Sequence, residues 1–128
     1  MPTAQPQLDR TLIALADPTR RAILHRLSRG EARVTDVARP FAMSLAAVSK
    51  HVRVLERARL VRRRRAGREH LLSLDPKPLD EAAAWLDTQR ATWTAHLDAL
   101  DAMLAAEDRA AAAVAAKTTN TKKRRGPR

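Results

Sequence analysis

Apolar residues along this chain fall first into helical spacing, then into alternation, then into helical spacing again. Leu8, Leu12 and Leu15 share one face of a helix expected over Gln7–Ala16. Asp17-Pro18 restarts the chain, because an aspartate accepts from free helix-start amides and proline suits the first helical position. The second helix is expected to run from Pro18 to about Ser28, turning Ile23, Leu24 and Leu27 inward, with Gly30 supplying the positive φ that ends it. A short third helix, Asp36 to about Arg39, starts at a Thr35 cap and closes at Pro40, and Phe41-Ala42-Met43 forms a turn. Ser44 caps a fourth helix, Leu45 to about Ala58. Its inward face is Leu45, Val48, Val52 and Leu55, and its other face carries Ala46, Ala47, Ser49, Lys50, Arg53 and Arg57.

The period then changes. Leu60–Arg65 and Glu69–Leu74 read as two strands around the turn Ala66-Gly67-Arg68, where Gly67 provides the positive φ of a tight hairpin. Leu72 and Leu74 alternate with polar positions, so one face of the hairpin packs on the core. Asp75-Pro76-Lys77-Pro78 breaks the chain before a long helix, about Leu79 to Ala106. In it Leu79, Leu86, Trp93 and Leu100 recur every seven residues, beside a row of Ala83, Leu97 and Leu104 interrupted by Arg90. A helix this long, roughly 40 Å at 1.5 Å per residue, exceeds what so small a domain needs for its own core. The pattern predicts a mainly α chain: a winged helix-turn-helix with a two-stranded β wing and a long C-terminal dimerisation helix. Residues 1–6 are expected to be a disordered N-terminus, 7–106 the winged-helix DNA-binding and dimerisation domain, and 107–128 an Ala-rich, then basic, disordered tail.

Charge sharpens this picture. Lys plus Arg total 25 against 14 Asp plus Glu, a net +11. Nine of the bases fall between Lys50 and Arg68 with only Glu56 against them, whereas residues 79–108 hold seven acids and one base, Arg90. A basic footprint opposed by an acidic body points to a polyanionic partner, duplex DNA above all. There is no cysteine, which excludes disulfides, thiolate redox sensing and thiolate metal sites. No apolar run reaches membrane-spanning length, and Met1–Pro6 lacks the regions of a signal peptide, so a cytoplasmic protein is expected. No glycine-rich phosphate loop, cysteine nucleophile or tight histidine–carboxylate group supports catalysis, and no cofactor is expected.

Three segments together resemble the ArsR/SmtB family of small bacterial repressors. They are Ala14-Leu15-Ala16-Asp17-Pro18-Thr19-Arg20-Arg21-Ala22-Ile23-Leu24, the run from Met43 to Glu56, and Gly67-Arg68-Glu69-His70. The resemblance spans roughly residues 8–104. It implies a symmetric homodimer built from the first and last helices, here Leu8, Leu12, Leu15, Leu79, Leu86, Trp93, Leu97, Leu100 and Leu104. It also implies recognition helices in major grooves, wings on minor grooves or phosphates, and an inverted-repeat operator. The chain departs from the family in three ways. Its third helix has no thiol, and His96 and Asp87 are not spaced as paired ligands, so no metal site is assigned. Arg59 stands where the family usually carries glycine after the recognition helix, a position where positive φ would strain an arginine. The basic tail lies outside the family core.

The DNA-binding residues expected are Ser44, Ala46, Ala47, Ser49, Lys50, His51, Arg53 and Arg57 on the fourth helix, with Arg63, Arg65 and Arg68 on the wing. The serines suit phosphates or base edges, the alanines admit the helix deep into a groove, and Lys50 and Arg53 reach guanine edges or phosphates. His51 reads either as a phosphate neighbour or as a packed structural residue. His25, His70 and His96 read as surface or packed residues, and Trp85 and Trp93 as helix-interface residues. The leading function is an operator-specific repressor, which could act on its own promoter. The alternatives are a metal- or ligand-responsive sensor with an unknown inducer, a non-specific nucleoid-associated protein, and a protein-interaction module using the long helix.

Overall fold

The computed structural model describes residues 5–124, with side chains described through residue 119. The remaining expected N-terminal and tail residues lie outside that range. Five helices and three strands follow in the order α1 (Pro6–Leu15), α2 (Pro18–Leu27), β1 (Ala32–Arg33), α3 (Val34–Ala38), α4 (Leu45–Arg57), β2 (Val61–Ala66), β3 (Glu69–Leu74) and α5 (Lys77–Arg124). The chain divides into two compact units, residues 1–86 and 87–128.

Local chemistry sets most of the boundaries in the first unit. Asp17 caps α2 by accepting from the Arg20 amide at 2.9 Å, with Pro18 in the first turn. The two arginines that follow close the end of α1. Arg20 donates to the carbonyls of Ala14 at 2.8 Å and Ile13 at 3.0 Å, and Arg21 donates to Leu15 at 2.7 Å. Carbonyls that a helix end leaves open are thus filled by cations, which also suit the negative end of its dipole. Gly30, at φ 134°, turns the chain out of α2. Ser44 caps α4 through Ala47, whose amide lies 3.1 Å from the Ser44 hydroxyl oxygen.

The end of α4 explains Arg59. The Leu60 amide donates to Leu55 and the Arg59 amide to Glu56, both at 3.0 Å, the bond pair of a Schellman turn. That turn requires a left-handed residue, and Arg59 sits there at φ 61°. Leu55 and Leu60, the two apolar residues that flank the turn, are both fully buried.

The core gathers Ala14, Ile23, Leu24, Leu27, Val37, Val48, Val52, Leu55, Leu60 and Leu72, with Leu15, Phe41, Leu74 and Leu79 packed against it. Each fully buried Leu or Ile side chain here stabilises the unit by about 1.5–3 kcal/mol of hydrophobic transfer. Leu45 departs from its expected core position and is half exposed, because it sits on the first turn of α4 beside a groove rather than beneath it.

The sheet also differs from the expected two-stranded wing. β1 joins the hairpin as a third strand in the order β1-β3-β2, all antiparallel, pairing Ala32 with Leu72 and Arg33 with Leu71. Across the hairpin, Arg63 pairs with Leu72 and Arg65 with His70, while Arg64 pairs with Leu71. Cross-strand partners share a face, so Arg63 and Arg65 lie on the side of buried Leu72, and Arg62 and Arg64 on the other.

Two further boundaries move. Helix α3 begins at Val34 with Arg33 at the cap position, where it makes no capping bond, so Thr35 lies inside the helix. Helix α5 begins at Lys77, two residues before the expected start, because the Asp75 carboxylate accepts from the Lys77 amide at 3.1 Å. Pro78 in its first turn is compatible with a helix, since that position needs no intrahelical amide bond. At its other end α5 runs through Arg124, beyond the expected stop at Ala106, across an alanine-rich stretch of the strongest helix formers.

Candidate nucleic-acid interface

On α4, Ala46, Lys50, Arg53 and Arg57 follow at intervals of four, three and four, which aligns them on one helix face. All four are exposed, opposite the buried Val48, Val52 and Leu55. Among the described residues, Lys50, Arg53 and Arg57 take part in no ion pair. Arg57 also lines a shallow hollow with Arg10, Ile13 and Val54, which places it at the α1 side of the stripe. Ala47 and Ser49 are half-buried at the edge of this face. Ser44 spends its oxygen on the helix cap, which leaves its hydroxyl proton for a donor role.

His51 points elsewhere. Its Nδ1 lies 3.7 Å from an Asp17 carboxylate oxygen and 3.4 Å from Nη1 of Arg20. The histidine therefore ties α4 to the start of α2. Of the two readings of His51 in the sequence, this geometry is that of the packed structural residue. The Asp17 carboxyl is held below its ordinary value, chiefly by the Arg20 amide bond, against a desolvation cost and with help from the His51 and Arg20 charges.

The wing arginines have internal partners that the sequence did not reveal. Arg62 binds Asp75 at 2.8 Å, Arg63 binds Glu56 at 2.8 Å and Arg64 binds Glu31 at 2.6 Å. The Glu31 carboxyl is lowered chiefly by its hydrogen bond from Arg64. The Asp75 carboxyl is lowered first by the Lys77 amide and, against desolvation, by Arg62. Arg65 donates from Nε to the Gly67 carbonyl at 3.3 Å across the hairpin turn, and it forms no ion pair among the described residues. Arg68 is exposed and likewise without one.

Between the wing and α4 lies a groove of about 390 Å³, lined by Thr35, Ser49, Arg63, Arg68 and His70 among others. Arg33 lies on its rim, bound to Glu69 at 2.8 Å and Asp36 at 3.1 Å. Arg33 and Thr35 were not expected at this surface. The only signal for them was their place at the start of the short helix that precedes α4, which β1 converts into proximity to the wing.

Of the residues expected at an interface between copies, Leu15 and Leu79 pack on the core of their own unit and Leu8 is half-buried. Leu12 is exposed, as is Ile13, which the sequence reading omitted. Leu86, Trp93, Leu97, Leu100 and Leu104 are each about half exposed or more. Trp85 lines a separate cavity of about 260 Å³ with Gln7, Leu8, Thr11 and Pro78. No group of three or more metal-binding side chains occurs among the described residues. No described helix is long and apolar enough to cross a membrane.

A short helix, a turn and a second helix with a cationic outer face, followed by a hairpin, define a winged helix-turn-helix DNA-binding protein. A model of a helix-turn-helix domain matches residues 15–64. The HTH-type transcriptional regulator Rv2034 of Mycobacterium tuberculosis is 47% identical over 89 residues, covering 70% of this chain and 80% of that protein. The transcriptional repressor SdpR of Bacillus subtilis is 33% identical over 73 residues, covering 57% of this chain and 81% of its own length. Among solved structures, the ArsR family transcriptional regulator RHA00566 superposes with a TM-score of 0.66 at 42% identity, covering 69% of this chain and 97% of that one. An ArsR-like regulator from Rhodococcus sp. RHA1 gives a TM-score of 0.65 at 30% identity, covering 73% and 89%. The chain belongs to the ArsR/SmtB family of DNA-binding transcriptional regulators, which are not enzymes.

Proposed function

We propose that this regulator is a cytoplasmic repressor that binds an inverted-repeat operator as a homodimer and acts at its own promoter. The observation that carries the reading is the contrast between its two sets of cations. Among the described residues, Lys50, Arg53 and Arg57 stand on the outer face of α4 without an ion-pair partner, while three wing arginines are each held by a carboxylate. Free cations on a rigid helix, beside the small side chains of Ala46 and Ala47, suit insertion into a major groove. Ser49 and Arg68 line the groove beside this helix, and with Ser44 and Arg65 they suit phosphates that set the register of the helix on DNA. His51 acts from behind, by holding α4 on α2. The repressor role is supported by SdpR, a relative that carries that name. Homodimerisation is supported by the exposed apolar row on α5, since such rows on single chains mark interaction surfaces.

The test is a specificity ratio. Binding to the DNA upstream of its own gene is compared with binding to scrambled DNA at physiological salt, with footprinting to locate the site. A ratio on the order of a thousand or more is expected for an operator-binding protein. Equal affinity for both DNAs removes the operator reading and leaves a non-specific binder. Light scattering at micromolar concentration tests the dimer separately.

A further inference from the structure

Two hollows adjoin where α1 meets the first turns of α5, and neither is lined by the cationic face of α4. The first, of about 260 Å³, has apolar walls of Leu8, Pro78, Ala82 and Trp85, with Gln7 and the buried Thr11 at its side. The second, of about 210 Å³, is lined by Arg59, Arg62, Asp75 and Lys77. Gln7, Pro78 and Glu81 line both, so the apolar hollow and the charged one share a wall. Asp75 is already engaged: one carboxylate oxygen meets Arg62 at 2.8 Å and the other accepts from the Lys77 amide at 3.1 Å. Arg59 and the Lys77 ammonium form no ion pair among the described residues, and Glu81 is the carboxylate left to oppose them. Arg59 also holds its place against local preference, at φ 61°, where glycine is easier. A strained residue kept on the wall of a hollow points to a use for its side chain.

We propose that the two hollows together bind a small organic carboxylate with an apolar body, and that this ligand weakens DNA binding. The carboxylate lies on Arg59 and Lys77, and the ring or chain lies against Leu8, Pro78 and Trp85. Charge-assisted bonds from a guanidinium to a carboxylate are strong for their size, and apolar walls with a few placed polar groups are the usual make-up of a small-ligand site. Hollows of this volume suit one ring or a short chain, since drug-sized ligands occupy about 300–1,000 Å³. Gln7 is the link to DNA. Its Nε2 donates to the Ala58 carbonyl at 2.8 Å and lies 3.4 Å from the Thr11 hydroxyl oxygen. Ala58 caps the C-terminal end of α4 and directly precedes Arg59. A carboxylate seated beside Gln7 competes with the Ala58 carbonyl for the same amide protons, so ligand and recognition helix draw on one side chain. Where ligand and operator favour different arrangements of that side chain, the binding of each opposes the other by the same factor. The coupling rests on the operator reading above, whereas the site itself does not.

The experiment uses the full-length chain, with benzoate and hexanoate as probes and benzylamine as the amine control. The chain has two tryptophans, so Trp93→Phe leaves Trp85 as the reporter. Both acids are expected to change Trp85 fluorescence saturably at millimolar or lower concentration, and benzylamine is not. Calorimetry on the wild type measures the same constants without the reporter. Arg59→Gly relieves the left-handed turn, so binding lost in that variant is not folding lost. It and Lys77→Ala are each expected to weaken benzoate binding by about tenfold or more. Glu81→Gln removes a like charge and is expected to tighten it. Saturating benzoate is expected to lower operator affinity by about fivefold or more, and Gln7→Ala to bring that ratio close to one. No saturable binding of either acid, or undiminished binding in an Arg59→Gly/Lys77→Ala double variant, overturns the site. Preference for benzylamine, with binding lost in Glu81→Gln, overturns the ligand class in favour of a cation. Benzoate affinity that falls as protein concentration rises means that a second copy fills the hollow, and it overturns the site as well. Benzoate bound with operator affinity unchanged overturns the regulation. Equal affinity for operator and scrambled DNA removes the operator reading instead, while the titrations without DNA still decide the site.

Discussion

Arg63 on the wing grips Glu56 near the end of the recognition helix with two donors, Nε at 3.2 Å and Nη2 at 2.8 Å. Both side chains are 29% exposed, so the pair is shielded more than an ordinary surface contact. It joins the wing to the fourth helix, the two elements proposed to meet DNA, and gives the Arg63 charge an internal partner. Glu56→Gln keeps the shape and removes the charge. Its expected effect on stability is small, at most about 1 kcal/mol by denaturant unfolding. Its expected effect on DNA binding is larger: affinity at low salt rises, and the dependence on salt steepens by about one released counterion. Asp9→Asn on α1, which removes the same charge from outside the wing, should leave the salt slope unchanged. An unchanged slope for Glu56→Gln would show that Arg63 does not reach DNA even when freed.

The left-handed Arg59 is a site where the chain can be stabilised without touching the interface. A side chain at φ 61° costs energy that glycine does not, and the Schellman turn fixes the residue there. Arg59→Gly is expected to stabilise the fold by about 1 kcal/mol, partly offset by the greater freedom of glycine in the unfolded chain. For a domain of this size that corresponds to a rise of about 4–8 °C in Tm. Thermal unfolding measures it directly, and a fall in Tm would mean that the arginine makes a compensating contact.

Much of this architecture was legible because each boundary had its own local chemistry. Asp17-Pro18 and Ser44 announced the starts of α2 and α4, and Val48, Val52 and Leu55 described one helical face. The alternation around Leu72 set both strands of the hairpin. The Arg59 position was visible as a glycine site filled by arginine. What escaped the sequence depends on tertiary partners. β1 is two residues long, too short for any alternation, and exists because β3 offers it an open edge. Leu45 fits the core spacing of α4, but its place on the first turn leaves it half exposed beside the groove. Alternation put Arg63 and Arg65 on one face of the wing, and the cross-strand pairing places that face on the side of buried Leu72. The carboxylates that occupy Arg62, Arg63 and Arg64 come from three separate segments, and no spacing rule links them.

Acid should weaken the cap on α2 before it disturbs the core. The Asp17 carboxyl is lowered below its ordinary value of 3.8, first by the Arg20 amide bond. A depressed folded-state pKa contributes stability that is fully present above the unfolded value. That contribution is lost as pH falls from the unfolded value through the lower folded one. Asp17→Asn retains a cap acceptor but no charge, so its stability profile should be flatter than that of the wild type below about pH 4. Asp17→Ala removes the cap at every pH and is expected to cost about 1 kcal/mol at neutral pH. Urea midpoints measured from about pH 2 to 7 separate the two. Parallel wild-type and Asp17→Asn profiles would mean that the carboxylate charge contributes nothing to the cap.

Opposite faces of α4 should respond in opposite ways to substitution. Lys50→Ala and Arg53→Ala alter exposed positions that form no ion pair among the described residues, so each should change stability by less than about 0.5 kcal/mol. If either cation reads a base edge, its loss should weaken operator binding by about 1–3 kcal/mol. A phosphate contact would instead lower affinity evenly across sequences and reduce the salt slope by about one. Val52→Asp places an unpaired carboxylate at a fully buried position and should unfold the domain, since burying an unpaired charge costs far more than the domain's margin. Leu45→Asp is the instructive companion. It makes the same kind of change at a position that shares the apolar spacing of Val52 but is half exposed, and it should leave the fold intact. Circular dichroism and DNA binding on all four variants test the two faces together. Full operator affinity in a Lys50→Ala/Arg53→Ala double variant would contradict the assignment of this helix to the DNA groove.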